Sequence, residues 1–247
     1  MNTFLRGVLT AVLIAAIGIS GYCILSDQSG YADEAGIHRE VLSYRPSEPE
    51  TSATADSGKT ENTINQSIVD LQAQYPDAVG WISVPYTAID YPFVQGPDNT
   101  FYLDRDIGGK PAAAGAVFMD YRNNRDFSDF NTILYGHHMK NGSMFASLKQ
   151  FNDPDFFSAN RTGTLFLADK ICSVEFFAYL VVGAEEDLLW GREPADQDTV
   201  RTFTEKIKKE ARHYREPGLT TADRIVTLYS CAYEFDGARM VLMGKIY

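Results

Sequence analysis

Near the carboxyl end, the stretch RIVTLYSCAYEFDGARMVLMGKIY places a cysteine, Cys231, and an arginine, Arg239, on either side of an Asp236-Gly237 turn signal. Strand periodicity puts Ile225, Thr227, Tyr229 and Cys231 on one face and Val226, Leu228 and Ser230 on the other. A two-residue turn at 236–237 would aim Arg239 away from Cys231. A three-residue loop over 235–237, with Gly237 left-handed, pairs Tyr233 with Arg239 and makes Cys231 and Arg239 diagonal neighbours on one face. The three-residue loop is the expected one. A cation beside a thiol stabilises the thiolate, and it also stabilises the oxyanion of an acyl-transfer step. The same two residues, taken alone, also describe a small apolar core cysteine and a surface charge.

A second feature is YGHHM at residues 135–139. It follows a β-branched run and precedes a short helix, so both histidines stand at a strand end, where functional groups are often displayed. Cysteine acyl transfer needs a proton donor for the leaving amine, and imidazole titrates in the useful range. A lone histidine also serves as a structural hydrogen-bonding residue. Adjacent histidines on a strand point to opposite faces and no third ligand cluster lies nearby, so no metal site is expected. His38, in a linker, and His213, on the solvated side of a helix, are not candidates.

These groups need a scaffold to position them. Apolar, β-branched runs punctuated by turns predict eight strands: 79–84, 89–94, 114–119, 131–136, 164–168, 171–183, 224–230 and 239–246. Pro92 demotes the second to an edge or bulged strand. Ile64, Ile68, Leu71 and Tyr75 predict a short amphipathic helix, and further short helices fit 98–104, 144–150 and 154–158. A longer helix fits 198–215, with Val200, Phe203, Ile207, Ala211 and Tyr214 as an apolar stripe. The expected fold is mainly β: a closed or nearly closed eight-stranded barrel with peripheral helices.

The rest of the chain places that domain. Residues 7–25 carry no charge and are long enough to span a bilayer as a helix. Arg6 precedes them and Asp27, Asp33 and Glu34 follow, so the positive-inside rule puts the amino terminus in the cytoplasm and the remainder outside the cell. A cleaved signal peptide is the alternative, but the apolar run exceeds the usual h-region and no A-x-A-like site follows. Cys23 reads as a passive membrane residue. Residues 27–62 include RPSEPETSATADSGKTENT, a Pro/Ser/Thr/Glu-rich stretch that predicts a flexible extracytoplasmic tether. The expected organisation is thus an anchor at 1–26, a linker at 27–62 and a catalytic domain at 63–247. Three cysteines cannot build a disulfide framework, and a free thiol outside the cell stands out as reactive. A net charge of −11 argues against nucleic acid as a partner.

Together these residues resemble the sortase family, and more narrowly its class B members. The pieces occur in family order: an apolar anchor, DAVGWISVPYTAIDYPFVQGPDNTFYL, GAVFMDYRN, NTILYGHHM with MFASL after it, TLYSC, and Arg239 eight residues beyond the cysteine. The resemblance spans about 64–247. It implies an eight-stranded barrel and a membrane-anchored cysteine transpeptidase that cuts a C-terminal sorting signal after threonine. Cys231 would be the nucleophile, His137 the general acid and then base, and Arg239 the group holding the oxyanion or the substrate threonine. The thioester would pass to an amine of a lipid-linked peptidoglycan precursor or of a pilin, with no cofactor. Asn99 and Tyr135 match positions lining the class B groove. Tyr229 and Ser230 stand where class B often has serine and the family has threonine, so substrate preference is open at that point. A papain-like peptidase would carry its cysteine before its histidine, near a helix start; the order here is the reverse. A non-catalytic wall-binding module would have no use for Cys231.

Overall fold

The computed structural model describes residues 39–47, 64–183, 196–230 and 238–247. The expected membrane helix, most of the linker and Cys231 lie outside the described residues. Two units are distinguished, Met1–Glu40 and Val41–Tyr247, and the barrel belongs to the second.

Its strands are β1 (Ala78–Ser83), β2 (Asp90–Val94), β3 (Val117–Met119), β4 (Asn131–Gly136), β5 (Thr162–Leu167), β6 (Ile171–Gly183), β7 (His213–Tyr214), β8 (Arg224–Ser230) and β9 (Ala238–Ile246). They form one sheet in the order β5-β1-β2-β3-β4-β8-β9-β6-β7, and a further β5–β6 pairing closes it. Eight strands therefore make the ring, as the hydrophobic runs predict, and two-residue β7 hangs on β6. Closure leaves the eight strands no long unpaired edge.

Period-two alternation sorts the side chains into two cores. Val226, Leu228, Met240 and Leu242 join Phe93, Leu134, Leu165 and Phe176 inside the barrel. Their neighbours Ile225, Tyr229, Val241 and Met243 belong to a second cluster with Val200, Phe203 and Ile207 of α3 (Gln197–Glu210). The apolar stripe of α3 is thus outer-face packing. Asp196 caps its start, accepting from Thr199 N at 2.8 Å.

Three local expectations are corrected. Helix α3 stops at Glu210, because the next backbone groups pair with β6: Arg212 N donates to Tyr179 O at 2.9 Å and Arg215 N to Phe177 O at 2.7 Å. Tyr214 and His213 are therefore strand residues, and His213 stacks near Tyr179 and Phe157 with Nε2 2.8 Å from Asn152 O. Strand β2 is no edge: it lies between β1 and β3. Pro92 is tolerated there because the ladder to β3 involves only Phe93 and Val94, and the irregularity sits instead at Ala78/Gly80. Part of the expected tether is packed structure. Val41 is buried, Arg45 Nε meets Asp90 Oδ2 at 2.6 Å, and Tyr44 lies edge-on to Tyr75.

The remaining helices match the periodicity. α1 (Gln66–Gln74) buries Ile68 and Leu71 and is capped by Asn65, although Ile64 is exposed. α2 (Pro154–Ala159) starts at proline behind an Asp153 cap. The segments expected as helices at 98–104 and 144–150 are tighter 3-10 turns, Phe101–Leu103 and Phe145–Asn152.

Candidate active site

The site is built from the ends of three adjacent strands. β4 and β8 run parallel with Tyr135 opposite Tyr229 and Gly136 opposite Ser230. β8 and β9 run antiparallel with Ser230 opposite Met240. Cys231 follows Ser230 in the chain, His137 follows Gly136, and Arg239 precedes Met240. The three candidates are thus immediate chain neighbours of three residues that lie side by side in the sheet. Cys231 itself is outside the described residues.

The observed register differs by two from the expected one. A three-residue loop would set Ser230 opposite Leu242, whereas Leu242 faces Leu228. The parity survives the shift: Arg239 still shares the face of Tyr229 and the odd-numbered residues of β8. Tyr233, its expected partner, lies outside the described residues. On its other side Arg239 pairs with Val182 of β6, and its Nη1 donates to Ala238 O at 3.1 Å. The side chain is partly exposed.

His137 is held from both ends. Its carbonyl accepts from Phe145 N at 2.8 Å, and the next residue bridges to Met144. The Met144 amide in turn donates to Tyr91 Oη at 3.0 Å. Burial raises the Tyr91 phenol above its usual range despite that bond. Gly136 is obligatory by close approach: a Cβ there would sit 2.6 Å from Phe145 Cγ. The imidazole Nε2 lies 2.6 Å from Leu103 O. A carbonyl can only accept, so Nε2 carries the hydrogen, and Nδ1 is the nitrogen left to take up or release a proton. Leu103 ends the 3-10 turn Phe101–Leu103, packed so tightly on Gly115 (φ +59°) that a Cβ there would lie 2.6 Å from Leu103 O.

The expected groove residues Asn99, Tyr135 and Tyr229 come together, Asn99 and Tyr135 through a residue not singled out from the sequence and Tyr229 through its ring contact with Tyr135. Asp120, directly after β3, has a fully buried side chain. Its carboxylate accepts from Asn99 Nδ2 at 2.8 Å, Tyr135 Oη at 2.9 Å, and Arg122 Nε and Nη2 at 3.0 and 2.9 Å. Burial pushes this carboxyl up, but the bonds from Arg122, Asn99 and Tyr135 outweigh burial and hold it below the usual carboxylate range. Burial, then the adjacent Asp120 charge, drive the Tyr135 phenol well above its normal value, so it stays a donor. The Tyr135 ring sits 5.4 Å from that of Tyr229, in a T-shaped pair. Ser230 does not join them: it is fully buried on the barrel-interior face, and its Oγ finds no partner among the described residues. The signal for Asp120 was present in GAVFMDYRN, an acid two residues before an arginine at a strand end, but composition alone gives such a pair no role.

The one thiol among the described residues is not a candidate nucleophile. Cys172 is buried in the barrel core, and burial raises its thiol above the ordinary value. Among the described residues, no three His, Cys, Asp or Glu side chains gather closely enough to hold a metal ion.

No family model matches the chain. Sortase B of Listeria monocytogenes is 35% identical over 197 residues, 78% of this chain and 80% of that protein. The crystal structure of sortase B from Bacillus anthracis superposes with a TM-score of 0.74 at 31% identity, covering 87% of this chain and 96% of that one. A Staphylococcus aureus sortase B–substrate complex gives a TM-score of 0.69 at 28% identity, covering 76% and 87%. Relatives of this identity and coverage, on the same closed barrel, make the chain a member of the class B sortases, a family of cysteine transpeptidases.

Proposed function

We propose that this sortase is a membrane-anchored enzyme that cleaves secreted proteins after the threonine of a C-terminal sorting signal and joins them to an amine of the cell envelope. The carrying observation is the register that sets Gly136, Ser230 and Met240 abreast, each bonded in sequence to one member of the His137–Cys231–Arg239 set.

In this reading the Cys231 thiolate attacks the threonine carbonyl, and Arg239 supports the negative oxygen that develops. The peptide C–N bond then breaks, and the departing amine takes a proton from His137 Nδ1. The Leu103 carbonyl supports this role by keeping Nε2 protonated, so one ring nitrogen is dedicated to proton exchange. The thioester formed is attacked by an incoming amine, whose proton returns to Nδ1, and the thiolate leaves as the new amide forms. The amine is carried by a lipid-linked peptidoglycan precursor or a pilin. Asn99, Tyr135 and Tyr229 line the groove for the sorting signal. Residues 7–25 anchor the protein, with the amino terminus cytoplasmic and the catalytic domain outside.

The test is ligation of fluorogenic sorting peptides by residues 39–247, with and without an amine acceptor. Amine-dependent product, lost in Cys231→Ala and His137→Ala, supports the reading. Cleavage at the same rate without acceptor would make the protein a peptidase, and full ligation by both variants would end the assignment. Protease accessibility of the domain on intact cells tests the membrane topology; protection of the domain there would refute it.

A further inference from the structure

Asp120 is a carboxylate buried at a desolvation cost. A carboxylate with no solvent exposure, paired to an arginine, adds little net stability over an apolar substitute of the same size. What it does provide is geometry. Its backbone is locked first: Asp120 N donates to Ile133 O at 3.0 Å, and its own carbonyl accepts from Gln95 Nε2 at 3.0 Å and Asn123 N at 3.0 Å. The fixed carboxylate then gathers Asn99, Tyr135 and Arg122 from three separate segments. Asn99 is constrained at its other end as well, Oδ1 accepting from Tyr121 N at 3.1 Å. The Tyr135 ring is sandwiched between Phe118 at 5.2 Å and Tyr229 at 5.4 Å. Tyr135 stands two residues before His137 on β4, and Tyr229 two residues before Cys231 on β8.

We propose that Asp120 is a positioning residue for acyl transfer: it touches no reacting atom, and it orients Asn99 and Tyr135 as one rigid wall beside the paired ends of β4 and β8, where the sorting signal is held. The inference rests on the function proposed above and adds the device that pre-organises its groove. A wall held by charge-assisted bonds loses no further order when substrate arrives, so the carboxylate acts on substrate capture rather than on the thiol.

The experiment compares residues 39–247 of the parent with Asp120→Asn, Tyr135→Phe and the double variant. Three quantities are read: kcat/KM for ligation, the rate of Cys231 alkylation by iodoacetamide, and Tm. Asp120→Asn keeps the shape but replaces one acceptor oxygen with a donor, and it is expected to lower kcat/KM about tenfold or more. Alkylation should stay within about twofold of the parent, because the thiol's own surroundings are unchanged. Adding Tyr135→Phe to Asp120→Asn should cost less than Tyr135→Phe costs alone, since the bond it removes has already lost its charged acceptor. Tyr135→Phe by itself keeps the ring and removes one donor, and it tests the wall even if Asp120→Asn fails to fold. Unchanged ligation in either variant overturns the inference. So does a loss of ligation matched by an equal loss of alkylation rate, which would mark a merely structural role. A parent that does not ligate defeats the proposed function itself, a distinct result from a parent that ligates alongside an equally active Asp120→Asn.

Discussion

Replacing Gly136 with alanine isolates the mechanical link between the barrel core and the candidate general acid. An ideal Cβ at this position would lie 2.6, 2.7 and 3.0 Å from Phe145 Cγ, Cδ2 and Cδ1. Carbon atoms sit comfortably at roughly 3.5–4.0 Å, so the ring must withdraw by about 1 Å. Phe145 has no exposed surface and lies in the barrel core with Leu148 and Phe151, which leaves it nowhere to go without moving its 3-10 turn. Overpacking of this kind costs about 1–3 kcal/mol. Alanine restricts the unfolded chain more than glycine does, which offsets roughly 0.4–1 kcal/mol. The net loss is about 1–2 kcal/mol, and for a domain of this size it lowers Tm by roughly 2–8 °C. The catalytic effect should be larger than the stability effect. Phe145 N holds the His137 carbonyl at 2.8 Å, so a displaced ring drags the imidazole with it. A misplacement of about 1 Å costs on the order of a hundredfold in rate. The assay is ligation kcat/KM alongside thermal melting, with Phe145→Leu added to Gly136→Ala as the relieving change. Parent-like Tm and kcat/KM in Gly136→Ala would refute the claim that this contact positions His137, as would a double variant no better than the single.

Two further outcomes follow from the buried titratable groups. Asp120 has a folded-state pKa below its unfolded value, so its stabilisation is complete above the ordinary carboxylate range, begins to be lost as pH falls past about 4, and is gone below the depressed value. Tm measured down to about pH 3 should therefore fall less steeply in Asp120→Asn than in the parent; parallel curves would show that this carboxyl does not titrate as described. Cys172 is buried in the core with a raised thiol pKa, so the folded Cys231→Ala variant of residues 39–247 should take up iodoacetamide at a small fraction of the parent rate at neutral pH. Equal labelling of the two proteins would show that Cys172 is accessible and reactive.

Much of the architecture was legible along the chain because it depends on local pattern. The eight ring strands match the eight predicted runs to within a few residues, since period-two alternation and turn residues mark strands wherever one face is buried. The α3 stripe of Val200, Phe203 and Ile207 was likewise visible as a helical period. Boundaries settled by distant partners were not. The helix read through Tyr214 ends at Glu210 because β6 offers Tyr179 and Phe177 carbonyls to Arg212 and Arg215, a competition with no signal in the local sequence. Val41 and Arg45 read as tether because one short apolar residue and one charge have no periodicity; Asp90 of β2 and Tyr75 at the end of α1 are what engage that segment.

The same division runs through the site. Residue types and order singled out Cys231, His137 and Arg239, because nucleophile, acid and cation are chemical properties carried by single side chains. Parity along β8 and β9 was also sequence information, so the shared face of Tyr229 and Arg239 could be predicted. The register was not: a shift of two residues preserves every face and leaves the apolar pattern unchanged, so only the paired backbones decide it. The role of Asp120 was not legible for a related reason. Its Arg122 partner is close in the chain, but Asn99 and Tyr135 reach the carboxylate only where separate loops and strands meet.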